Sequence, residues 1–294
     1  MKRVVGLILC LSLLFSGFNP TTTFAASDPK NKGLYISPLR SYVAFNADDQ
    51  VTRALTVANL TDRPIVVTLK VEEFSVADYS YDYRFGELNN DWVKFVENKV
   101  ELKPYQSHEA AYHISIPRGA APGGHYYTLF ASADLSGQEG TVRAASLIYL
   151  TVNGAVRRTA SLKDTSSPRI IFTPQIPYKL DIKNTGNIHY FAYFSASVDG
   201  LFYHNQPTGT SQLLMPGAAR QINNSIPAPF IPGIYKLTYG YTPDQSDAVT
   251  ISRYIIVVPP WFIALLIVVG YIGFRFWQNR NIKHHKKTPS STDS

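Results

Sequence analysis

The sequence predicts an all-β protein with two tandem Ig-like antiparallel β-sandwiches, an N-terminal signal peptide and one C-terminal transmembrane helix. Three observations predict it: short segments alternate apolar and polar residues, a set of turn landmarks recurs in both halves, and apolar runs lie near both ends. The predicted division is 1–25 for the signal peptide, 26–153 and 154–258 for the sandwiches, 261–277 for the helix and 278–294 for a basic cytoplasmic tail.

The N-terminus has the three parts of a secretory signal. Lys2 and Arg3 precede an apolar run, and small residues follow it, so cleavage is expected after Ala25, with cleavage after Ala26 as the neighbouring choice. An uncleaved anchor is the alternative, but the run is shorter than the roughly 20 residues of a membrane span. Cys10, the only cysteine, lies in this segment. The mature chain is therefore expected to contain no disulfide and no thiolate site.

Strand alternation is clearest in four segments, in which polar residues separate the apolar ones. The apolar positions are Ile65, Val67, Leu69 and Val71; Tyr112, Ile114 and Ile116; Tyr178, Leu180 and Ile182; and Tyr235, Leu237 and Tyr239. A period of two with a polar outer face is typical of antiparallel sheets that are solvated on one side. Short strands between turn signals favour sandwiches.

An internal repeat predicts two domains of one topology. Each half contains, in the same order, a turn that begins with Asn, a Leu-x-Pro, an Ile-Pro and a Pro-Gly that leads into a Tyr-containing strand. These landmarks begin at Asn59, Leu102, Ile116 and Pro122 in the first half and at Asn184, Leu214, Ile226 and Pro232 in the second. Asn suits the turn, and proline ends a strand because it cannot donate to the ladder. The boundary is expected in residues 153–168, which are polar and do not alternate.

Between the Asn and the Leu-x-Pro, the first half is longer than the second, and the extra residues are expected in one loop from Ser75 to Trp92. Its aromatic residues are the candidate ligand- or partner-binding site: Tyr79, Tyr81, Tyr83, Phe85 and Trp92. Rigid aromatic rings on a loop are typical of binding surfaces. The alternative is that the rings fold back and close the open end of the sandwich. The acidic residues among them do not match an EF-hand loop, so no metal and no cofactor is expected.

The C-terminal apolar run from Trp261 to Phe274 contains no charged residue and follows Pro259-Pro260, which separates it from a strand predicted over 254–258. Basic residues between Arg280 and Lys287 follow the run, and positive charge stays in the cytoplasm. This predicts a single-pass protein of the cell membrane with an extracellular ectodomain and a cytoplasmic C-terminus. Most of the net charge of +7 lies in the two ends. The ectodomain therefore lacks the basic excess of a nucleic-acid-binding domain.

No catalytic motif stands out. The ectodomain histidines form no His-x-His or His-x-x-x-His pair for zinc, and no Gly-x-Ser-x-Gly, P-loop or Rossmann fingerprint is present. His125 and His189 lie beside turn landmarks and are predicted to be structural. Glu72 and Glu73 are adjacent on a predicted strand and therefore face opposite ways. The prediction is a protein that is not an enzyme.

Several of these motifs resemble the WxL-interacting-type surface proteins of bacteria. The first domain of that family is similar to Asn59–Thr61, Ile116–Ala120 and Pro122–Tyr126, and its membrane-proximal Ig-like domain is similar to Asn184–His189 with Leu214–Gly217 and Gly233–Tyr235. The resemblance implies a membrane-anchored adaptor that contacts cell-wall polymer or partner surface proteins, WxL-type proteins among them. The alternatives are a passive envelope stalk and a chaperone-like assembly factor with Ig-like domains, which would have to expose a strand edge.

Overall fold

The computed structural model describes residues 33–134, 141–244 and 247–285. The predicted signal peptide, including Cys10, and the last residues of the tail lie outside this range. Nineteen β-strands and one helix occur in the described part of the chain.

The first sandwich consists of two facing sheets. One sheet has the strand order β1 (Leu34–Ser37), β3 (Gln50–Asn59), β8 (Ser107–Ser115) and β6 (Val93–Phe95). The other has the order β2 (Arg40–Phe45), β10 (Thr141–Val152), β9 (Gly123–Asp134), β4 (Ile65–Val76) and β5 (Tyr83–Gly86), with β7 (Lys99–Leu102) also paired to β4. The chain changes sheets between β1 and β2, and β2 then runs parallel to β10.

The second sandwich repeats this plan with fewer strands. Its smaller sheet has the order β11 (Ala160–Ser166), β13 (Gln175–Asn184) and β17 (Ala219–Pro227). Its larger sheet has the order β12 (Ile170–Ile171), β19 (Val249–Val257), β18 (Gly233–Pro243), β14 (Tyr190–Gly200) and β15 (Tyr203–His204), with β16 (Thr208–Leu214) paired to β14.

Each sandwich has its own apolar core, and the predicted alternation places residues in it correctly. All thirteen apolar positions of the four alternating segments are buried, and they divide between the two cores according to their half of the chain. Val66, on the opposite face of β4, is exposed, as period-two geometry requires. The prediction of a mostly β chain with sandwich-like sheets is confirmed, but the sheets are not purely antiparallel, because β2 pairs with β10 and β12 pairs with β19 in parallel.

The landmarks of the internal repeat occupy equivalent places. Pro122 directly precedes β9 and Pro232 directly precedes β18, and each of these strands lies between the partner that follows it and the long strand after the Asn turn. The structure also explains why Asn and Leu-x-Pro occur together. Asn59 donates from Nδ2 to the carbonyl of Leu102 at 3.3 Å, and Asn184 donates to the carbonyl of Leu214 at 3.0 Å. Both asparagines are fully buried.

Strand β11 lies inside the segment in which the domain boundary is predicted, since it occupies Ala160–Ser166 of residues 153–168. Alternation was absent because β11 is an edge strand with no fully buried position. The prediction that the residues from Ser75 to Trp92 form one loop is wrong. They include the end of β4, the whole of β5 and part of the connection that leads into β6.

The C-terminal helix, α1 (Pro260–His285), begins three residues after β19 and is longer than predicted, because it continues past Trp277 into the basic tail. Its first 19 residues, Pro260–Gln278, are long and apolar enough to cross a membrane, and none of these residues is buried in the protein. At 1.5 Å per residue they span about 28 Å, close to the roughly 30 Å hydrocarbon core of a bilayer.

Candidate functional site

The five aromatic residues predicted to bind a ligand do not form one surface. Tyr79 and Tyr81 lie in the turn between β4 and β5, and Tyr83 and Phe85 lie on β5 at the sheet edge. Trp92 precedes β6, where its half-buried ring packs on the first core and on His125, with ring centroids 4.4 Å apart. The structure therefore separates the set into three environments.

The turn between β4 and β5, residues 77–82, contacts the second sandwich. Asp78 accepts a hydrogen bond from the backbone N–H of Ala219 at 2.8 Å, and the N–H of Tyr79 donates to the carbonyl of Ala219 at 2.7 Å. The hydroxyl of Tyr81 accepts from the N–H of Met215 at 3.2 Å, and the guanidinium of Arg220 lies 4.2 Å from the Tyr81 ring centroid. These contacts make the turn part of the interface between the domains.

The pKa values of the two turn tyrosines agree with this position. Burial raises the pKa of Tyr81, against the opposing effects of the Met215 N–H and Arg220. The Asp181 carboxylate on β13 raises the pKa of Tyr79, although 54% of the surface of Tyr79 is exposed. Tyr79 and Tyr81 also have positive φ angles of 65° and 59°, a conformation that is uncommon for bulky residues. The contacts with the second sandwich oppose the cost of holding that conformation.

Beneath the turn, a small apolar cluster joins the two sandwiches. Its buried members are Phe74, Leu147 and Tyr149 from the first sandwich and Met215 and Ala218 from the second. Burial of these side chains stabilises one relative orientation of the two domains.

A second contact between the domains lies at the start of β9. The hydroxyl of Tyr126 accepts a hydrogen bond from the N–H of His189 at 2.9 Å and contacts its Nδ1 at 3.2 Å. The side-chain amide of Asn187 donates to the carbonyl of Pro122 at 2.9 Å, and the backbone carbonyl of Asn187 accepts from the N–H of Gly124 at 2.8 Å. Burial, with a smaller contribution from Arg158, lowers the pKa of His189 to about 4, so its ring is neutral at pH 7.

Tyr83 and Phe85, the other two predicted residues, lie beside an open crevice between the domains, here called the aromatic crevice. Its six residues come from three strands of the first sandwich and one of the second: Tyr42, Tyr83, Phe85, Tyr149, Phe191 and Tyr193. All except Tyr149 are between 39% and 48% exposed. Large apolar rings that remain half exposed along one surface are typical of an interaction site.

Ring contacts connect the members of the aromatic crevice. Tyr42 stacks on Tyr149 with centroids 4.7 Å apart and lies 6.2 Å from Phe191, which connects the two domains. Tyr83 stacks on Phe85 at 6.2 Å, and its hydroxyl lies 3.4 Å from that of Tyr149. The rings are therefore held in place before any ligand arrives, which lowers the entropy lost on binding.

The charges beside the aromatic crevice differ between its ends. A concavity of about 330 Å³ is lined by the aromatic residues Tyr81, Tyr83, Tyr149 and Phe191 together with Arg40 and Arg220. An adjoining depression of about 680 Å³ includes Phe191 and Tyr193 with Asp244 and Asp247. The five residues predicted from the sequence include Tyr83 and Phe85 of this set but not Tyr42, Phe191 or Tyr193. These three residues share one sequence feature: each is an aromatic residue at a position of a strand that faces away from the core.

The histidines lie in separate polar pairs. His108 contacts Glu97 at 2.6 Å, His113 contacts Thr52 at 2.7 Å, and His204 contacts Asp199. Among the described residues, no three His, Cys, Asp or Glu side chains come together in a group able to hold a metal ion.

No protein-family model matches the chain. No curated protein matches it either. Among solved structures, it is similar to the class 5 fimbriae chaperone CfaA, with 10% identity and a TM-score of 0.44 over 77% of this chain and 100% of that one. A chain of a chaperone–tip adhesin complex of CFA/I fimbriae biogenesis gives 8% identity and a TM-score of 0.44 over 76% and 98%. A chain of the CsuC–CsuE pre-assembly complex of Acinetobacter baumannii gives 10% and 0.40 over 77% and 98%. Likeness at this level is distant.

Proposed function

We propose that the protein is a membrane-anchored, non-catalytic surface adaptor, and that its aromatic crevice binds an extended ligand, either cell-wall polymer or a segment of a partner surface protein such as a WxL-type protein. The observation that carries the proposal is the row of half-exposed rings that crosses from one sandwich to the other. Helix α1 supplies the membrane anchor. No metal, cofactor or catalytic group is required.

The chemistry of the aromatic crevice suits a polymer. Ring faces pack against the apolar faces of sugar rings or against peptide side chains, and Arg40 and Asp244 offer hydrogen bonds to polar groups at the two ends. Tyrosine contributes a large contact area while losing few rotamers. A ligand that crosses both domains would contact more rings than a ligand confined to either sandwich.

Within this proposal the five predicted residues have different roles. Tyr83 and Phe85 contact the ligand directly. Tyr79 and Tyr81 hold the turn of the hairpin against the second sandwich and so position the crevice, and Trp92 packs on the first core without reaching the crevice.

The test compares Tyr83→Ser and Phe191→Ser with Tyr35→Ser in the full chain. Tyr35 is 48% exposed, close to the 47% of Phe191, but lies on β1 in the other sheet of the first sandwich. We expect each crevice variant to weaken binding to isolated cell-wall material or envelope protein by about 30-fold, the size of a loss of about 2 kcal/mol at a hot spot. Tyr35→Ser should bind like the parent.

Melting temperatures of the same three variants separate binding from folding. Crevice variants that melt like the parent and still bind like it would contradict the proposal. If Tyr79→Ser alone abolished binding at unchanged stability, the binding site would lie on the turn and not in the crevice.

The chaperone-like alternative is favoured by one specific observation. Strand β2 pairs with β10 only from Leu147 to Val152, so the edge of β10 from Thr141 to Ser146 has no neighbouring strand on that side among the described residues. An open edge can accept an added strand from a partner.

Backbone direction gives the test of this alternative. The N–H of Leu147 donates toward β2, and donors alternate along a strand, so the N–H of Ala145 points to the same open side. Ala145→Pro should remove one donor for an added strand, whereas Ala145→Ser should keep it. Loss of partner binding in the proline variant alone would favour strand addition over binding in the aromatic crevice.

A further inference from the structure

One end of the second sandwich has an unusual number of exposed apolar side chains. This set, called the apolar rim, consists of Leu201, Phe202, Phe230, Ile231, Ile234 and Ile256. Leu201 is 88% exposed, Phe202 is 86% and Phe230 is 74%. Exposed apolar residues that occur singly are ordinary, but several together mark an interaction surface.

Strand register shows that the apolar rim lies at a single end. Strand β14 reaches Gly200 beside the start of β18, since Asp199 pairs with Lys236, and the turn with Leu201 and Phe202 follows at once. Gly233 at the start of β18 pairs with Val257 at the end of β19. The turn after β14, the loop before β18 and the exit from β19 therefore lie side by side.

The same end gives rise to the predicted membrane span. Helix α1 begins at Pro260, and three residues of chain reach at most about 11 Å from Val257. Trp261 donates from its indole N–H to the carbonyl of Phe230 at 3.1 Å and stacks on the Phe230 ring at 5.3 Å. Phe230 of the apolar rim is thus held beside the first turn of the helix, at the level where an interfacial tryptophan would lie.

The outer face of the larger sheet changes polarity with distance from this end. The first outward row is apolar, since Ile170 pairs with Ile256 and Ile256 with Ile234. The next row, about 7 Å away, pairs Tyr254 with Lys236, two side chains that suit the headgroup region. The third row contains Ser252 and Thr238, whose hydroxyls lie 2.9 Å apart. The order is apolar, amphipathic, polar.

This order matches the polarity profile of a bilayer surface. We propose that the apolar rim inserts into the outer interface of the membrane, so that the second sandwich lies directly on the lipid. The bilayer is the proposed partner because the apolar rim is continuous with the predicted membrane span. In addition, the outer face of the larger sheet becomes less polar toward the helix. The inference rests on the membrane anchorage in the proposed function, but not on the aromatic crevice.

The test places single nitroxide labels on the full chain in vesicles of phosphatidylcholine and phosphatidylglycerol. A Cys10→Ser background removes the only cysteine, and labels are then attached through Phe202→Cys, Ile231→Cys, Tyr105→Cys or Leu266→Cys. Collision rates with oxygen and with a water-soluble nickel complex measure immersion depth. Tyr105 is the matched control, because it is 71% exposed but belongs to the first sandwich. Leu266 lies within the span.

We expect the labels at 202 and 231 to favour oxygen over nickel by several-fold relative to the label at 105, with the label at 266 deeper still. Aqueous readings at 202 and 231 with an immersed label at 266 would overturn the inference and leave the anchor intact. An aqueous reading at 266 would overturn both. A third outcome would also overturn the inference. If the label at 202 has oxygen access no higher than the label at 105, and shows spin–spin broadening that disappears on dilution with unlabelled chain, the rim is a contact between two copies of the chain.

Discussion

The buried asparagine that recurs in both sandwiches is an informative position to perturb. Asn184 donates from Nδ2 to the carbonyls of Ile188 at 2.9 Å and Leu214 at 3.0 Å, and its Oδ1 accepts from the N–H of Gly186 at 2.8 Å. Asn184→Ala removes all three bonds and leaves buried backbone groups without those partners. At about 1 kcal/mol for each lost bond, the free energy of unfolding of the second sandwich should fall by about 2–4 kcal/mol.

The assay is urea unfolding of residues 26–258 followed by two signals. Trp92 is the only tryptophan in that segment, so its fluorescence reports on the first sandwich, whereas far-ultraviolet circular dichroism reports on both. Asn184→Ala should shift the dichroism transition to lower urea. Asn59→Ala, which removes the equivalent bonds to Arg63, Leu102 and Lys103, should shift the fluorescence transition.

Asn223→Ala is the matched control, because Asn223 is exposed on β17 and its amide donates to the side chain of Gln221 and, among the described residues, to no buried backbone carbonyl. Its transition should stay within about 0.5 kcal/mol of the parent. If Asn184→Ala proved as mild as Asn223→Ala, the bonds from Asn to Leu-x-Pro would not stabilise the fold, and the reasoning from the repeat would fail.

Three further outcomes are expected. Because burial lowers the pKa of His189 to about 4 from its usual value near 6.5, the unfolded chain binds more protons than the folded chain between these pH values. The contribution of His189 to stability should therefore be constant above pH 6.5 and fall as the pH drops toward 4. The urea midpoint of His189→Gln should accordingly fall less between pH 7 and pH 5 than that of the parent, and an equal fall would count against this reasoning. Asp78→Ala should loosen the domain interface and increase the radius of gyration measured by small-angle scattering, with an unchanged radius counting against the hairpin contact. Protease added to intact spheroplasts should remove the ectodomain and leave Lys283–Lys287 protected, and cleavage of that tail would reverse the proposed orientation.

Much of the fold could be predicted from the sequence, because local patterns report on local geometry. Period-two alternation placed Ile65, Tyr112, Tyr178 and Tyr235 in their cores, since a strand directs alternate side chains to opposite faces. The Asn, Leu-x-Pro and Pro-Gly landmarks identified the repeat because turns have strong residue preferences. The same reasoning missed β11, because an edge strand need not alternate.

The candidate site was only half predictable. The first half does contain extra residues, but they lie in two segments: residues 77–82 of the hairpin turn and residues 87–98. The corresponding segments of the second half are shorter, residues 201–202 and 205–207. Tyr81 and Tyr83 line the same concavity, but nothing local indicates that Tyr81 also bonds to the second sandwich. Their environments depend on surfaces contributed by β16 and β17, more than 120 residues away along the chain.

The sequence alone predicts the β class of the chain, its repeated plan and its apolar C-terminal helix. Each depends on residues that are neighbours in the chain, where period, turn chemistry and length act directly. Tertiary packing brings Tyr42, Tyr83 and Phe191 to one crevice, Tyr126 to His189, and Phe230 to Trp261. These groupings arise when strands distant in sequence pack together, and an aromatic residue on an outer face carries no local mark of the ring that will approach it.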